Sequence, residues 1–525
     1  MKSYKDHLVS TNSSNNYFLR KPVFRSSAVF PVLYNKKLNT NIYFLGYWLI
    51  KRNIKEVNIL VTIRNKSGTI VKRFNKLVNQ VKSYSVNLKN EISNNKTTSF
   101  IGSIELEVFS TQDMVFPYPA FVINFDGVNS SSVVHSCGRI YNDQDDFKVN
   151  NQILVPETGF DITDKKKFNP FFSFVNGNEE LKNSEIILDL VNYLGKEKTK
   201  KIKFKRIKPY ETLFVDFLNK NDRDFFKNKK GTVRINHKFR SFFPRFLAGS
   251  LSRDKNDSSI THTYYDLSKK SDKTQYWKNP NSSKYYDSAI AVPIFNKKNL
   301  KTELAIYPNF SKIKFDLNLE VYNKKGVEVG KIFKFFKIDD KFKKPSYLNL
   351  NNLLKINRIN LNKGEDYFCR LYTSSKREIL SRLKFGLNIG NNNNLSNSIE
   401  SNICFNAQVP VKAIHEKKGT FKWGLLKNRN NSQILLSNIG FIKGTFKSAN
   451  ISLKFWNEFD NKFLIKKICI PDRGNYFFSL NKNKKIKNFL KNNTGWVTVQ
   501  SDNPFVNGWY LDISKNGSVG ADHLF

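Results

Sequence analysis

Three histidines near the ends of a repeated unit are the residues whose type and spacing best suit chemistry. His135 and His262 each lie 70 residues after an asparagine that ends a repeated strand, and His523 has the corresponding place in the last unit. Neutral imidazole is a common metal ligand and proton carrier, and the carboxylates of Asp266 and Asp522 lie close by in the sequence. This pattern indicates a ligand or metal contact at the unit ends.

An alternative interpretation gives these histidines a purely structural role, in which each bonds its own backbone or a neighbouring unit. Zinc sites usually need three or four convergent ligands, and the sequence offers one histidine per unit. His415-Glu416 begins like the H-E-x-x-H zinc motif but lacks the second histidine. We therefore predict no metal, no cofactor and no catalytic residue, and we keep His135, His262 and His523 as candidate ligand-binding residues.

The element that must position these histidines is an alternating apolar strand that ends in asparagine and turns three residues later. Side chains on a strand point alternately to opposite faces, so apolar residues at every second position predict a strand with one buried face. Asparagine and glycine both suit the tight turn that follows, because both tolerate left-handed backbone angles. The four copies are Ile59-Val61-Ile63-Asn65-Gly68, Ile186-Leu188-Leu190-Asn192-Gly195, Leu317-Leu319-Val321-Asn323-Gly326 and Ile451-Leu453-Phe455-Asn457-Asp460.

The spacing of these copies predicts the fold class. The four asparagines, at positions 65, 192, 323 and 457, are 127, 131 and 134 residues apart, which is a common size for one domain. We therefore predict an all-β protein of four tandem β-sandwich domains. Residues 27–37 and 288–298 also resemble each other, which raises the hypothesis of a duplicated pair of pairs.

The predicted domain limits follow from polar stretches between the copies. A polar lead-in precedes the first sandwich, and a longer linker separates the second from the third. The limits are 1–26 for the lead-in, 27–141 and 152–266 for the first two sandwiches, 267–284 for the linker, and 285–405 and 406–525 for the last two sandwiches.

A motif late in the fourth copy carries a resemblance to a known class of domain. The stretch Gly495-Trp496-Val497 continues to Pro504-Phe505, and the short apolar strand Gly508–Leu511 follows it. It resembles the last hairpin of tandem immunoglobulin-like or fibronectin-III-like modules in bacterial surface proteins. The resemblance implies a sandwich with an adhesive or scaffolding role, and it does not imply a particular ligand.

The composition of the chain limits the classes of partner and the cellular locations that fit it. Lys+Arg 88 against Asp+Glu 44 gives a formal charge of +44, which fits either a polyanion partner or the lysine excess of an AT-rich genome. The N-terminal residues contain no apolar signal region and no apolar stretch is long enough to cross a bilayer, which predicts a cytoplasmic protein, with the cell surface as the alternative. Four cysteines without a C-x-x-C pair indicate neither a disulfide scaffold nor a metal framework.

Two clusters combine aromatic rings with positive charge, which is an arrangement that stacks on bases or sugar rings. The first includes Arg245 within residues 240–246, and the second includes Tyr276 and Trp277 within residues 273–278. We add Arg245, Tyr276 and Trp277 to the candidate ligand-binding residues. The alternative is that these rings only pack between modules or against a sandwich edge.

Three functions remain as hypotheses from the sequence. The first, which we favour, is a non-enzymatic multidomain protein that binds a carbohydrate or protein partner. The second is an enzyme whose site is assembled at a module junction from the three histidines and nearby carboxylates, which requires that these side chains converge. The third is a polyanion-binding protein, which requires that the lysines gather on one face. The oligomeric state stays open.

Overall fold

The chain is an all-β protein whose strands form four successive sandwiches, numbered one to four along the chain. The computed structural model describes residues 3, 5–6, 23–92, 98–114, 121–128, 130–135, 138–140, 158–163, 168–240, 242–253, 258–264, 276–278, 289–296, 300–308, 314–339, 342–374, 378–380, 382–391, 401–408, 418–428, 431–440, 447–491, 493–514 and 517–525. None of the helices within these ranges is long and apolar enough to span a bilayer.

Sandwiches one and two have the same order of strands, and the first has an additional helix between its second and third strands. The first contains β1 (Phe24–Asn35), β2 (Asn39–Leu45), α1 (Tyr47–Arg52), β3 (Val57–Asn65), β4 (Ile70–Val78), β5 (Ser83–Asn87), α2 (Leu88–Ile92), β6 (Ser99–Ser110), β7 (Val122–Asp126) and β8 (Ser131–Val134). The second contains β9 (Gly159–Thr163), β10 (Phe168–Val175), β11 (Leu181–Val191), β12 (Glu197–Ile207), β13 (Thr212–Asp216), α3 (Lys220–Phe226), β14 (Lys230–His237), β15 (Leu247–Ser252) and β16 (Ser258–His262).

Sandwiches three and four repeat this order of strands, with one additional short strand, β24 (Glu378–Leu380), in the third, and a short strand that pairs with it, β17 (Tyr276–Lys278), precedes the third. The third contains β18 (Ala289–Phe295), β19 (Leu300–Ile306), β20 (Phe315–Tyr322), β21 (Glu328–Ile338), β22 (Ser346–Asn349), α4 (Leu350–Ile356), β23 (Asp366–Ser374), β24 (Glu378–Leu380), β25 (Arg382–Asn391) and β26 (Ser401–Gln408). The fourth contains β27 (Thr420–Lys427), β28 (Asn431–Ser437), β29 (Ala449–Trp456), β30 (Phe463–Ile470), β31 (Asn475–Ser479), α5 (Lys484–Phe489), β32 (Thr494–Ser501), β33 (Asn507–Ile513) and β34 (Val519–His523).

All four sandwiches share one antiparallel topology. The two sheets of the first have the orders β1-β6-β3-β4 and β5-β2-β7-β8, and the other three repeat both orders with their own strands. In the third sandwich a single residue pair, Ala289 with Gln408, joins the two halves into one eight-stranded sheet. The identical pairing supports the four-copy interpretation, while the domain limits given above stay a prediction.

The repeated strands are β3, β11, β20 and β29, as the alternation predicts. In β3 the side chains of Ile59, Val61 and Ile63 are fully buried, and the asparagine that follows each strand closes the turn with its side chain. The Asn65 Oδ1 atom accepts hydrogen bonds from the backbone N–H groups of Ser67 and Thr69 at 3.1 and 3.0 Å. Asn192 and Asn323 make equivalent bonds, and Asn457 accepts the N–H groups of Phe459 and Asp460.

One segment of the first sandwich differs from what its sequence indicates. The apolar run 42–50 is typical of a core strand, but β2 ends at Leu45 and α1 follows it. A continuous apolar run lacks the alternation that separates strand from helix. The helix buries Tyr47 and Trp48, and it ends at Asn53, which adopts a left-handed conformation.

The four sandwiches contact one another in a closed ring. The turn after each repeated strand reaches the start of a strand in the next sandwich: Thr212 N donates to Lys66 O at 2.9 Å, and Asn475 N donates to Lys324 O at 3.4 Å. The ring closes because Ser83 N of sandwich one donates to Asn457 O of sandwich four at 2.7 Å. At the remaining junction, Gly195 of sandwich two lies against the backbone of Lys344 in sandwich three.

The last strands of the four sandwiches meet in the middle of this ring. We call β8, β16, β26 and β34 the tail strands. Strand β8 contacts β16 and β34, and β26 contacts the same two strands. Between β8 and β16 the N–H groups of Ser258 and Ile260 donate to the side-chain oxygens of Ser130 and Ser132, each at 2.9 Å. The ends of the tail strands are therefore brought together from four distant parts of the chain.

Candidate functional site

The three histidines meet at the ends of the tail strands. His135 directly follows β8, and His262 and His523 are the last residues of β16 and β34. The ring centroid of His135 lies 4.6 Å from that of His523 and 5.0 Å from that of His262. Sandwiches one, two and four thus each place one imidazole here, whereas the tail strand of sandwich three, Ser401–Gln408, contains no histidine.

Asp522 joins these rings, and we call His135, His262, His523 and Asp522 the histidine cluster. The Asp522 side chain is 8% exposed, and its Oδ2 atom lies 2.6 Å from Nδ1 of His135. Its Oδ1 atom lies 3.9 Å from Nε2 of His523 and accepts the backbone N–H of that residue at 2.8 Å. One buried carboxylate therefore bonds to one imidazole and lies close to a second.

Local backbone contacts orient two of the imidazoles in the same way. Nδ1 of His262 lies 2.7 Å from the carbonyl oxygen of Thr263, and Nδ1 of His523 lies 3.0 Å from that of Leu524. A carbonyl oxygen only accepts hydrogen bonds, so Nδ1 carries the proton in both rings. In the neutral form, Nε2 of each ring then holds the lone pair.

The electrostatic surroundings keep His523 neutral. The pKa of His523 is lowered to about 4, chiefly by burial and also by the neighbouring His135, while Asp522 opposes both effects. On the facing strand, Tyr510 pairs with Asp522, and burial together with that carboxylate holds the pKa of the Tyr510 phenol well above its usual value. At neutral pH the cluster thus contains a neutral His523 imidazole beside one carboxylate.

The other candidate residues lie outside the tail strands. Arg245 lies half-buried beside Phe246, whose ring is fully buried in the core of sandwich two. The neighbouring Phe243 pairs through its backbone with Arg139 of sandwich one, so part of this aromatic cluster forms a junction. The backbone of the strand that contains Tyr276 and Trp277 pairs with β24. His415, Asp266 and most of the 267–284 linker lie outside the described residues.

A fourth described histidine, His237, stands apart in sandwich two and gives a pH-dependent prediction. Its ring stacks on Phe239 at 4.9 Å, and burial lowers its pKa to about 4. The unfolded chain binds this proton at about pH 6.5, whereas the folded chain does not, so stability falls as the pH drops from about 6.5 toward 4. We expect this group to contribute at most about 1.4 kcal/mol per pH unit to that loss.

The variant His237→Phe is expected to have a flatter pH profile. The denaturation midpoint in urea, measured from pH 7.5 to 4.5 for both proteins, isolates the contribution of His237. Parallel profiles in the two proteins would show that His237 accepts a proton equally in the folded and unfolded chains.

A buried ion cluster that the sequence interpretation missed joins sandwiches one and four. The Nζ atom of Lys427 lies 3.0 Å from Oδ2 of Asp512 and also bonds to Oδ1 of Asp126. It donates to Oδ1 of Asn124 at 2.8 Å, and Ser131 donates to Asp512 at 2.5 Å. Burial opposes the Lys427 charge, but Asp126 and Asp512 outweigh it and raise the pKa of the lysine.

A second buried polar cluster, which the sequence interpretation also missed, lies between sandwiches two and three. The Tyr264 hydroxyl bonds to Asp161 and to Tyr307, and Asn388 donates to Glu303 at 3.0 Å and to Asp161 at 3.5 Å. Burial raises the pKa of Asp161, although Tyr264 opposes this shift. The sequence signal was a charged residue within an otherwise apolar strand, Phe160-Asp161-Ile162. Both clusters use their polar groups to bond one sandwich to another.

Comparisons with known proteins add little to this geometry. No family model matches the chain. No curated protein sequence matches it either. Two solved structures of beta-glucuronidase 2 from Bacteroides uniformis are similar to it over about half of this chain.

One of these structures is a calcium-binding mutant, with 11% identity, a TM-score of 0.11 and coverage of 48% of this chain and 27% of that chain. The other is covalently bound to cyclophellitol-6-carboxylate aziridine, with 9% identity, a TM-score of 0.12 and coverage of 50% and 28%. This chain spans about a quarter of the length of those enzymes. The values assign neither a family nor an activity.

Proposed function

We propose that this chain is a non-enzymatic binding and scaffold protein built of four immunoglobulin-like sandwiches. The observation that carries the proposal is the closed ring, in which Ser83 of sandwich one bonds to Asn457 of sandwich four. The junctions occupy the turns and tail strands, so the sandwiches act as one body rather than as four independent modules. A partner is held by the surfaces that the ring leaves exposed.

The exposed surfaces that repeat around the ring are the edge strands β4, β12, β21 and β30. Each lies at the end of its sheet, and each carries exposed cations. In β12 the exposed side chains include Lys201, Lys203 and Lys205. Apolar groups accompany the cations on the other strands, since Leu77 is 52% exposed and Phe333 is 58% exposed. A carbohydrate or protein partner with acidic groups fits these edges best, because its charge complements theirs.

Binding through these edges is expected to weaken when their charge is reversed. The double variant Lys201→Glu/Lys203→Glu is compared with Lys36→Glu/Lys37→Glu, which makes the same change in net charge on an exposed turn of sandwich one. Immobilised poly-L-glutamate, heparin and the neutral glucan laminarin serve as probes in biolayer interferometry. We expect the first variant to bind the acidic probes at least about tenfold more weakly than the second, a loss of about 1.4 kcal/mol.

The three probes also separate the hypotheses. Equal losses in both double variants, with binding to heparin that falls steeply between 50 and 200 mM salt, would indicate a polyanion binder without a defined surface. No binding to any probe at 0.05 M salt would contradict the proposed role of the edge strands. Laminarin binding that survives both double variants would assign recognition to another surface.

A second candidate function is supported by the convergence of His135 and His523 on Asp522, with His262 packed against His135. An imidazole bonded to a carboxylate is an arrangement that general bases use, so an enzyme with its site at the module junction is the alternative. Hydrolysis of chromogenic glycosides and esters by the wild type, lost in His135→Gln, would establish this alternative and exclude the non-enzymatic proposal. Equal background rates in both proteins would support the binding protein.

A further inference from the structure

We propose that the histidine cluster binds a divalent transition-metal ion such as Zn²⁺, with His135, Asp522 and His523 as its ligands. The ligand atoms of these three residues all lie within 4.8 Å of one another. Two imidazoles and one carboxylate form a donor set that suits Zn²⁺, whereas Ca²⁺ and Mg²⁺ prefer oxygen ligands. A water molecule would complete a four-coordinate site.

The present spacing lies close to that of a coordinated ion. Zinc bonds of about 2.0–2.1 Å in tetrahedral geometry set two ligand atoms about 3.3 Å apart. Nδ1 of His135 is 2.6 Å from Oδ2 of Asp522, and Nε2 of His523 is 3.9 Å from Oδ1 of the same carboxylate. One separation is shorter than required and the other is longer. The two distances involve different oxygens of the carboxylate, and Nδ1 of His135 donates its proton to one of them, so metal binding requires the Asp522 carboxylate to reorient and that proton to be released.

Neighbouring groups already hold two of the rings in suitable orientations. The Leu524 carbonyl accepts the Nδ1 proton of His523 at 3.0 Å, which leaves the lone pair of that ring on Nε2, 3.9 Å from Oδ1 of Asp522. Metal-binding histidines usually donate their other ring nitrogen to such a group. His262, which belongs to sandwich two, packs edge-on against His135 at a centroid distance of 5.0 Å.

The position of the site gives the ion a structural role. His135 belongs to sandwich one, whereas Asp522 and His523 belong to sandwich four, so the ligands come from the first and the last sandwich. Sandwiches one and four are joined by no linker, and their contact closes the ring. An ion bound here crosslinks that contact, and its binding free energy adds to the stability of the closed ring.

The proposal is tested on the full chain after treatment with EDTA and dialysis. We expect isothermal titration with Zn²⁺ to give one ion per chain, and we expect Co²⁺ to give the visible absorption bands of a tetrahedral complex. His523→Gln and Asp522→Asn each remove one ligand and should weaken binding at least about 100-fold, which corresponds to about 2.7 kcal/mol. His237→Phe removes a histidine outside the cluster and should leave stoichiometry and affinity unchanged.

A stability measurement separates binding from misfolding in these variants. Saturating Zn²⁺ should raise the melting temperature of the wild type and of His237→Phe, but not that of His523→Gln or Asp522→Asn, whose circular dichroism spectra should match the wild type in EDTA. Absence of stoichiometric binding in the wild type overturns the proposal. Equal affinity in wild type and His523→Gln also overturns it, because the ion would then be bound elsewhere.

Discussion

Replacement of Lys427 by methionine is expected to lower the free energy of unfolding by about 3–5 kcal/mol. The lysine side chain is 3% exposed, and it is bonded to the carboxylates of Asp126 and Asp512. Methionine fills a similar volume but leaves both carboxylates without their shared cation. The cost therefore arises mainly from uncompensated buried charge and only slightly from lost packing.

Two controls separate this mechanism from a general effect of losing a lysine. Lys467 is exposed on β30, and Lys467→Met should change stability by less than about 0.5 kcal/mol. Adding Asp512→Asn to Lys427→Met removes one of the two carboxylates that the first substitution leaves without a cation. The double variant should therefore recover part of the lost free energy of unfolding. Chemical denaturation followed by tryptophan fluorescence measures all four proteins.

The location of Lys427 also predicts where the Lys427→Met variant opens first. Asp126 lies in sandwich one and Asp512 lies in sandwich four, as does the lysine, so the ion cluster spans the contact that closes the ring. Hydrogen exchange should therefore accelerate in β8 and β34 before it accelerates in β11 of sandwich two. Uniform acceleration across all four sandwiches would contradict a junction role for the lysine.

The repeated strands and turns could be predicted from the sequence because their causes are local. Alternating apolar residues determine which face of β3 or β29 is buried, and the Asn65 side chain bonds to backbone groups only two and four residues away. The short helices were harder to predict, since five to seven residues show little hydrophobic periodicity. Helix α3 still had a signal, because Asn219 and Asp222 form a capping box at its start.

The closed ring and the site within it depend on causes that are not local. Equal spacing after Asn65 and Asn192 predicted that His135 and His262 occupy equivalent places, but it did not predict that they meet. Their meeting requires junction bonds to backbone atoms such as Lys66 O, which every residue type possesses. Lys427, which the sequence interpretation missed, did have a local signal, because it ends the otherwise apolar run Trp423–Leu426 and a charge buried there requires a partner.

Alanine substitutions at four glycines are expected to rank the strength of the junction contacts. Gly326, Gly68, Gly195 and Gly364 all have φ between +80° and +87°, so each substitution costs about 1–2 kcal/mol in backbone strain alone. They differ in what the added Cβ meets. It would lie 1.9 Å from Asp472 O at Gly326, 2.3 Å from Pro209 O at Gly68 and 3.3 Å from Lys344 Cα at Gly195, with nothing within 4 Å at Gly364.

Gly364→Ala is therefore the matched control. The loss of unfolding free energy beyond that of Gly364→Ala measures what the junction contact contributes. At Gly326 and Gly68 the obstructing atom is a backbone carbonyl of the next sandwich, which moves only if the junction opens. We expect Gly326→Ala to lower the free energy of unfolding by about 2–5 kcal/mol in total, and Gly68→Ala to lower it by nearly as much. The loss should be smaller for Gly195→Ala, and for Gly364→Ala it should equal the backbone strain of about 1–2 kcal/mol. Denaturation midpoints give the order, and small-angle scattering should show expansion for Gly326→Ala and Gly68→Ala alone. Equal losses at all four positions would mean that these turns do not hold the ring closed.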